Sequence, residues 1–275
     1  MTQGHAAFPC PTLARCPLRA YVRAVQEAFP PRRPPARQPA FNVPGPVLAL
    51  GAALAVIELV RSFLGDGANL DILALFAFIP ARYDAASQIV LPGGLAADLW
   101  TFVTYALLHG NWVHLIVNLV WLLAFGSPVA RRFGPVRFAL FCAATAIAGA
   151  LAHLLAYPGA LVPMIGASAV VSGAMAAAVR FAFSPGGALG PASDRRGRHP
   201  PAVPLLTALR EPRVLVFIGV WVGLNILFGV AVEVPGSSDA EIAWQAHMGG
   251  FFAGLLLFSF FDPPPRNRPH AAAEF

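Results

Sequence analysis

Two residues able to carry out nucleophilic catalysis occur in a chain that is otherwise strongly apolar. Ser168 lies in the stretch MIGASAVVSGAM, residues 164–175, and His247 lies in the stretch AHMGGFFAG. A serine hydroxyl becomes an effective nucleophile when a base removes its proton, and histidine is the usual base. These residue types therefore favour acyl transfer on Ser168 with His247 as the base.

The oxyanion formed in acyl transfer needs fixed hydrogen-bond donors, and the stretch HGNWVHLIVN can supply them. His114 and Asn118 are four residues apart and share one face of a helix. Together with a backbone N–H at the start of the serine's helix, they would form an oxyanion hole. Gly166 would let the chain turn sharply into that helix, and His109 is a further candidate for assisting the site. No acidic residue lies where it could orient His247, which predicts a Ser–His dyad and not a triad.

The composition is that of a membrane protein. Of 275 residues, 57% are hydrophobic and only 12% are charged, whereas a soluble domain carries about 25% charged residues. Six apolar segments are long enough, or nearly long enough, to cross a bilayer. The stretch from Leu70 to Ile79 is too short, which predicts an interfacial or re-entrant piece in a long first loop. The six segments lie at about 46–64, 103–126, 136–156, 166–183, 213–231 and 241–261.

The distribution of arginines predicts how these segments are oriented across the membrane. The tail before the first segment, the second and fourth connections and the C-terminal tail are basic, whereas the first and fifth connections are mainly acidic, with Arg82 as the exception. Basic connections stay in the cytoplasm, so both termini are predicted to be cytoplasmic. The predicted organisation is an Arg/Pro-rich, largely disordered tail, a six-helix membrane domain and a second tail: 1–44, 45–262 (with a first loop 65–99 and a cytoplasmic loop 184–212) and 263–275.

The candidate residues lie at similar depths in the membrane. At a rise of about 1.5 Å per residue, His114, Ser168 and His247 lie roughly 18–25 Å above the cytoplasmic ends of their segments. Three helices would then place polar groups together in the outer half of the bilayer, where such groups are costly unless paired or functional. Asn225 in the fifth segment and His153 in the third are assigned instead to structural contacts between helices.

Two stripes of small residues would bring the serine and the histidine together. Gly250 and Gly254 follow His247 along one stripe of the sixth segment, and glycine at such positions lets a neighbouring helix approach closely. With the two stripes packed together, the imidazole comes within reach of the hydroxyl. The matching stripe on the fourth segment is Ser168, Ser172 and Ala176.

The stretches HGNWVHLIVN, GASA and AHMGGFFAG resemble those of the rhomboid family of intramembrane serine proteases. The hallmarks of that family are a His-x-x-x-Asn pair on the second span, Gly-x-Ser opening the fourth, and His followed by Gly-x-x-x-Gly on the sixth. The resemblance covers about residues 46–261. It implies an all-α bundle of six transmembrane helices, with Ser168 as nucleophile, His247 as base, and an oxyanion hole formed by His114, Asn118 and the amide of the serine.

Three positions depart from the family's pattern. Thr101 stands where the first-loop Trp-Arg motif has arginine, Ala169 stands where relatives often have glycine, and Ser172 stands where an aromatic residue often packs against the catalytic imidazole. The stretch SPVARRFG resembles the basic turn after the second span. The departures keep open an alternative, a catalytically weak or inactive relative that binds transmembrane clients. A small transporter or channel is less favoured, because the inner half lacks a matching polar set and no inverted repeat is seen.

The expected partners are transmembrane protein substrates and the lipid bilayer, in a bacterial inner membrane. The arginines flank apolar segments and are not interleaved with exposed aromatics, which argues against nucleic-acid binding. Hydrolysis requires water, so a polar cavity open to the outer face is expected above the catalytic groups. The resemblance implies no metal and no cofactor. Substrate identity and oligomeric state are left open by the sequence.

Overall fold

The computed structural model describes residues 42–87, 89–185, 187, 202–231 and 243–264, and in these ranges every regular element is helical. The predicted tails, 1–44 and 263–275, lie almost entirely outside the described residues, as does the middle of the predicted loop 184–212. In chain order the α-helices are α1 (Gly45–Arg61), α2 (Asp66–Phe76), α3 (Gly94–Thr104), α4 (Trp112–Phe133), α5 (Pro135–Ala156), α6 (Ser168–Ala182), α7 (Leu205–Ala208), α8 (Pro212–Gly229) and α9 (Trp244–Phe261).

The second long apolar helix differs from the prediction at both ends, since α4 spans Trp112–Phe133 and not 103–126. It begins late because Asn111 caps it, and the side-chain oxygen of Asn111 accepts from the backbone N–H of His114 at 2.8 Å. Its C-terminal end lies beyond the predicted residue 126, because a π-helical turn leads directly into the stretch SPVARRF. That stretch is helical through Phe133. That stretch is therefore the last part of α4 and not a turn after it.

The centre of the bundle is α6, in which every residue from Ala169 to Phe181 is buried. At 15 residues this helix is shorter than a typical span. In contrast, Val214 is the buried residue of α8 between Pro212 and Ile226, so α8 lies at the periphery. Among the described residues, the helices long and apolar enough to cross a membrane are α4, α5 and α8.

Glycines bring α9 into close contact with α6. A Cβ on Gly250 would overlap the carbonyl oxygen of Ala169, and a Cβ on Gly254 would lie 2.6 Å from the Cα of Gly173. Such contacts are possible only between very small residues. The stripe predicted on α6 is wrong by one residue, because the closest approach falls where α6 itself carries alanine and glycine. The predicted stripe was Ser168, Ser172 and Ala176, of which Ala176 does pack with Phe251 and Leu255 of α9.

The first loop holds the chain that leads into α6. Phe78 and Met164 exchange backbone hydrogen bonds of 3.1 and 2.8 Å, which form an isolated antiparallel bridge. Three residues further along the loop, the N–H of Ala81 donates to the carbonyl of Ala160 at 2.9 Å. The ring of Phe78 is completely buried. The loop therefore fixes the backbone immediately before the candidate nucleophile.

A threonine and an arginine organise this loop without the Trp-Arg motif. Thr101 is fully buried, and its Oγ1 lies 2.7 Å from the hydroxyl of Tyr83. Burial raises the pKa of the Tyr83 phenol, so the hydroxyl stays protonated. Arg82 donates to the carbonyls of Ala74 and Pro92 at 2.5 and 3.0 Å. The arginine that ties the loop together is therefore Arg82.

Candidate active site

Ser168 is the first residue of α6, where backbone N–H groups have no acceptor within the helix. The preceding Gly166 has a φ of +122°, a conformation that favours glycine. A Cβ on Gly166 would lie 2.7 Å from Cε1 of His114 and 3.8 Å from Oγ of Ser168. The imidazole of His114 and the serine hydroxyl therefore flank the same point of the chain, and any side chain at position 166 would displace the ring.

His109 contacts the turn of the chain that precedes the serine. It is completely buried, and its Nε2 accepts from the backbone N–H of Ala167 at 3.5 Å. Its ring meets the ring of His114 edge-on, with centroids 5.1 Å apart. Its carbonyl accepts from Nη1 of Arg61 at 2.6 Å. His109 thus connects the end of α1, the start of α4 and the start of α6.

The pair of candidate oxyanion donors lies in the first two turns of α4. Asn118 is buried, and its Nδ2 donates to the carbonyl of His114, one turn earlier, at 2.9 Å. A primary amide has two N–H donors, so this contact uses one of them. His114 is the member of the pair that the structure places directly beside Gly166.

The position of His247 follows from the register of α6 and α9. Gly250 lies against Ala169, and the next turn of each helix makes a similar contact, so the two helices run in the same direction. His247 lies one turn before Gly250, and Ser168 lies one residue before Ala169. The imidazole is therefore placed at the level at which α6 begins.

Sequence reasoning missed the partner of His247. Its Nδ1 lies 2.7 Å from Oδ1 of Asn225, on α8. The sequence assigned Asn225 to helix contacts in general, and an asparagine in an apolar helix was the available signal, but its partner could not be identified. Within the described residues, no group of three or more His, Cys, Asp and Glu side chains is placed to hold a metal ion.

A family model described as a rhomboid domain matches residues 96–262, a range that contains α4, α5, α6, α8 and α9. The chain belongs to the rhomboid family. Rhomboid protease GlpG of Haemophilus influenzae is 24% identical over 173 residues, which are 62% of this chain and 73% of that protein. The rhomboid hallmarks at Ser168, His247 and His114 all fall inside the matched range.

Two eukaryotic proteins are also similar to this rhomboid. Rhomboid-like protease 3 of Toxoplasma gondii is 26% identical over 175 residues, 62% of this chain and 55% of that protein. Rhomboid-related protein 3 of Homo sapiens is 34% identical over 109 residues, 40% of this chain and 26% of that protein. The chain thus spans about half, and about a quarter, of these two relatives. Family membership and the apolar helices identify it as an integral membrane protein.

Proposed function

We propose that this rhomboid is an intramembrane serine endopeptidase that cleaves peptide bonds in or beside transmembrane segments of other proteins. The observation that supports this most strongly is that His114 and Ser168 flank Gly166, while the register of α9 against α6 puts His247 level with the start of α6. The contacts of Gly250 and Gly254 with α6 set that register, and in this proposal the register lets His247 reach the serine.

The chemistry follows from the groups at these helix starts. His247 accepts the proton of the Ser168 hydroxyl as Oγ attacks the carbonyl carbon of the substrate. The oxyanion is stabilised by the N–H of Ser168 and by the side chains of His114 and Asn118. The imidazolium then protonates the leaving amine, and an acyl-enzyme remains on the serine. Water hydrolyses that ester, with His247 again as the base.

The proposal includes the topology expected from the arginines. The chain would cross the membrane six times, with both termini in the cytoplasm and the catalytic groups in the outer half of the bilayer. A substrate helix would enter from the side and unwind locally, because the peptide bonds of a helix are shielded from attack. The membrane is proposed to be a bacterial inner membrane.

The alternative is a rhomboid that binds transmembrane clients without cleaving them. The departures at Thr101, Ala169 and Ser172 are its support. The loop around Thr101 is nevertheless held by hydrogen bonds from Arg82. Ala169 packs against Gly250, so contacts in this protein accommodate two of the three departures.

Co-expression with a panel of tagged single-span reporter proteins tests the proposal. We expect cleavage of at least one reporter, lost in Ser168→Ala and in His247→Ala and retained in Ser172→Ala, a buried serine one turn further along α6. Reporters that co-purify uncleaved with the wild type and with Ser168→Ala alike would instead support client binding.

A further inference from the structure

We propose that Asn225 is a positioning residue for His247: it holds the imidazole with the proton on Nδ1 and leaves Nε2 free to act as the base. This inference rests on the function proposed above. It replaces the expected dyad with a three-residue arrangement of Ser168, His247 and Asn225, in which a neutral amide stands where other serine proteases have a carboxylate.

The orientation of the Asn225 amide is set by its second contact. Its Nδ2 donates to the carbonyl oxygen of Trp221 at 2.8 Å, one turn earlier in α8. A carbonyl oxygen only accepts hydrogen bonds, so the nitrogen end of the amide must face it. The oxygen end then faces Nδ1 of His247 at 2.7 Å.

This orientation decides the tautomer of the histidine. The amide oxygen can only accept, so the hydrogen bond requires a proton on Nδ1 of His247. In a neutral imidazole the other nitrogen then carries the lone pair. Nε2, on the side of the ring away from Asn225, is the atom that can accept the hydroxyl proton of Ser168. When it does so, the imidazolium keeps the same hydrogen bond to Asn225.

Contacts on either side of this hydrogen bond hold α8 in register with α9. One turn earlier in α8, Trp221 stacks on the fully buried Phe251, with ring centroids 4.2 Å apart and planes at 16°. One turn later, Gly229 lies so close to Trp244 that an added Cβ would overlap the indole. Asn225 therefore sits between two fixed contacts, although α8 is otherwise peripheral.

The hydrogen bond is also the contact that fixes the plane of the imidazole. In the part of the chain that the structure describes, no aromatic ring stacks on His247. The residue one turn after the nucleophile, Ser172, is too small to pack across the ring. Without Asn225, the imidazole could rotate about its side-chain bonds and adopt either tautomer, and only one combination presents a lone pair to Ser168.

Two variants of Asn225 test the proposal in the full-length protein in membranes, with the rate of labelling by a fluorophosphonate as the readout. Asn225→Leu keeps the size of the side chain and removes the acceptor, and we expect labelling to slow about 10- to 100-fold. Asn225→Asp keeps the acceptor oxygen for Nδ1, and its second oxygen can donate to the carbonyl of Trp221 when the buried carboxyl is protonated, so we expect a rate within about threefold of the wild type. The matched control is Leu224→Ala, a neighbouring exposed position, which should leave the rate unchanged.

Equal losses in the leucine and aspartate variants would show that Asn225 only supports α8, and an unchanged rate in Asn225→Leu would overturn the proposal directly.

A second measurement is independent of activity: ¹⁵N solid-state NMR of labelled histidine, with the His247 signals assigned by their loss in His247→Ala. We expect a protonated Nδ1 in the wild type and a mixture of tautomers in Asn225→Leu. If no protein labels but the tautomer is as expected, the proposed function fails while the positioning by Asn225 stands. An unprotonated Nδ1 in the wild type overturns the positioning itself.

Discussion

The two ends of the central helices are built from different kinds of polar group. We call the first turns of α4, α6 and α9 the serine end: His114, Ser168 and His247. We call their last turns, with the residue after α9, the arginine end: Arg132, Arg180 and Asp262. The serine end contains neutral side chains, whereas the arginine end contains formal charges.

At the arginine end the charged side chains form hydrogen bonds and an ion pair. Two nitrogens of Arg132 donate to the two carboxylate oxygens of Asp262 at 2.6 and 2.9 Å. Arg180 is 5% exposed, donates to the carbonyl of Val203 at 2.8 Å, and lies over the ring of Phe258 at 4.8 Å. Arg180 and Asp262 line a cavity of about 310 Å³ at the far end of α6 from the serine. Such contacts hold the helix ends together and leave little capacity for a reacting group.

At the serine end some hydrogen-bonding capacity is left open. Among the described residues, the buried side-chain atoms without a partner include Nδ1 of His153 and Oε1 of Gln245. Buried polar atoms are nearly always paired in proteins, so unpaired ones suggest places for water or substrate. The comparison shows that charged groups join the last turns of α4, α6 and α9, whereas the first turns of the same helices carry the neutral groups on which the proposed function depends.

Gly166→Ala is the substitution expected to have the largest effect on the serine end alone. The added methyl group must adopt a φ of +122° and would lie 2.7 Å from Cε1 of His114. We expect fluorophosphonate labelling to fall at least about 1000-fold, because both the ring and the serine turn must move. The free energy of unfolding should fall by about 1–3 kcal/mol, the cost of the strained backbone, while the contacts at the arginine end stay intact. A variant that labels normally would show that His114 does not need its present position.

The matching change at the arginine end is Asp262→Ala. It removes the carboxylate that pairs with Arg132, and we expect a loss of about 2–4 kcal/mol in the free energy of unfolding, measured by denaturant titration in detergent. The double variant Arg132→Met with Asp262→Leu should regain most of that loss, because it removes both charges. Labelling of the folded fraction should be unchanged. Loss of labelling without loss of stability would contradict the division between the two ends.

A smaller effect is expected from His109→Phe. The ring keeps its volume but loses the acceptor for the N–H of Ala167, a long hydrogen bond of 3.5 Å. We expect labelling to slow about tenfold, with little change in stability. His153→Phe is the matched control, since His153 is also buried but packs against Tyr157 and not against the serine turn. Equal effects in the two variants would mean that the serine end is sensitive to any buried histidine.

The sequence was sufficient to predict the family, the all-helical bundle and the helices that carry Ser168, His114 and His247. The motifs are local, and hydropathy defines apolar helices well. The bounds of α4 were wrong because its start depends on the cap at Asn111 and its end on a π-helical turn, and neither interrupts the apolar pattern.

Contacts between distant segments were harder to predict. The face of α6 was off by one residue because neighbouring positions of a small-residue helix look alike in sequence, and only the packing against Gly250 separates them. The role of Arg82 in tying the first loop together could not be predicted, because its acceptors are backbone carbonyls brought to it by folding. The pairing of Asn225 with His247 likewise depends on how α8 packs on α9.

The central claim is that His247 activates Ser168 at the serine end. The most direct measurement is fluorophosphonate treatment of the full-length protein in membranes, followed by mass spectrometry of the modified peptide. The account predicts a single adduct on Ser168 that is absent from His247→Ala. No adduct on a folded wild-type protein, or an adduct at Ser168 that persists without His247, would contradict it.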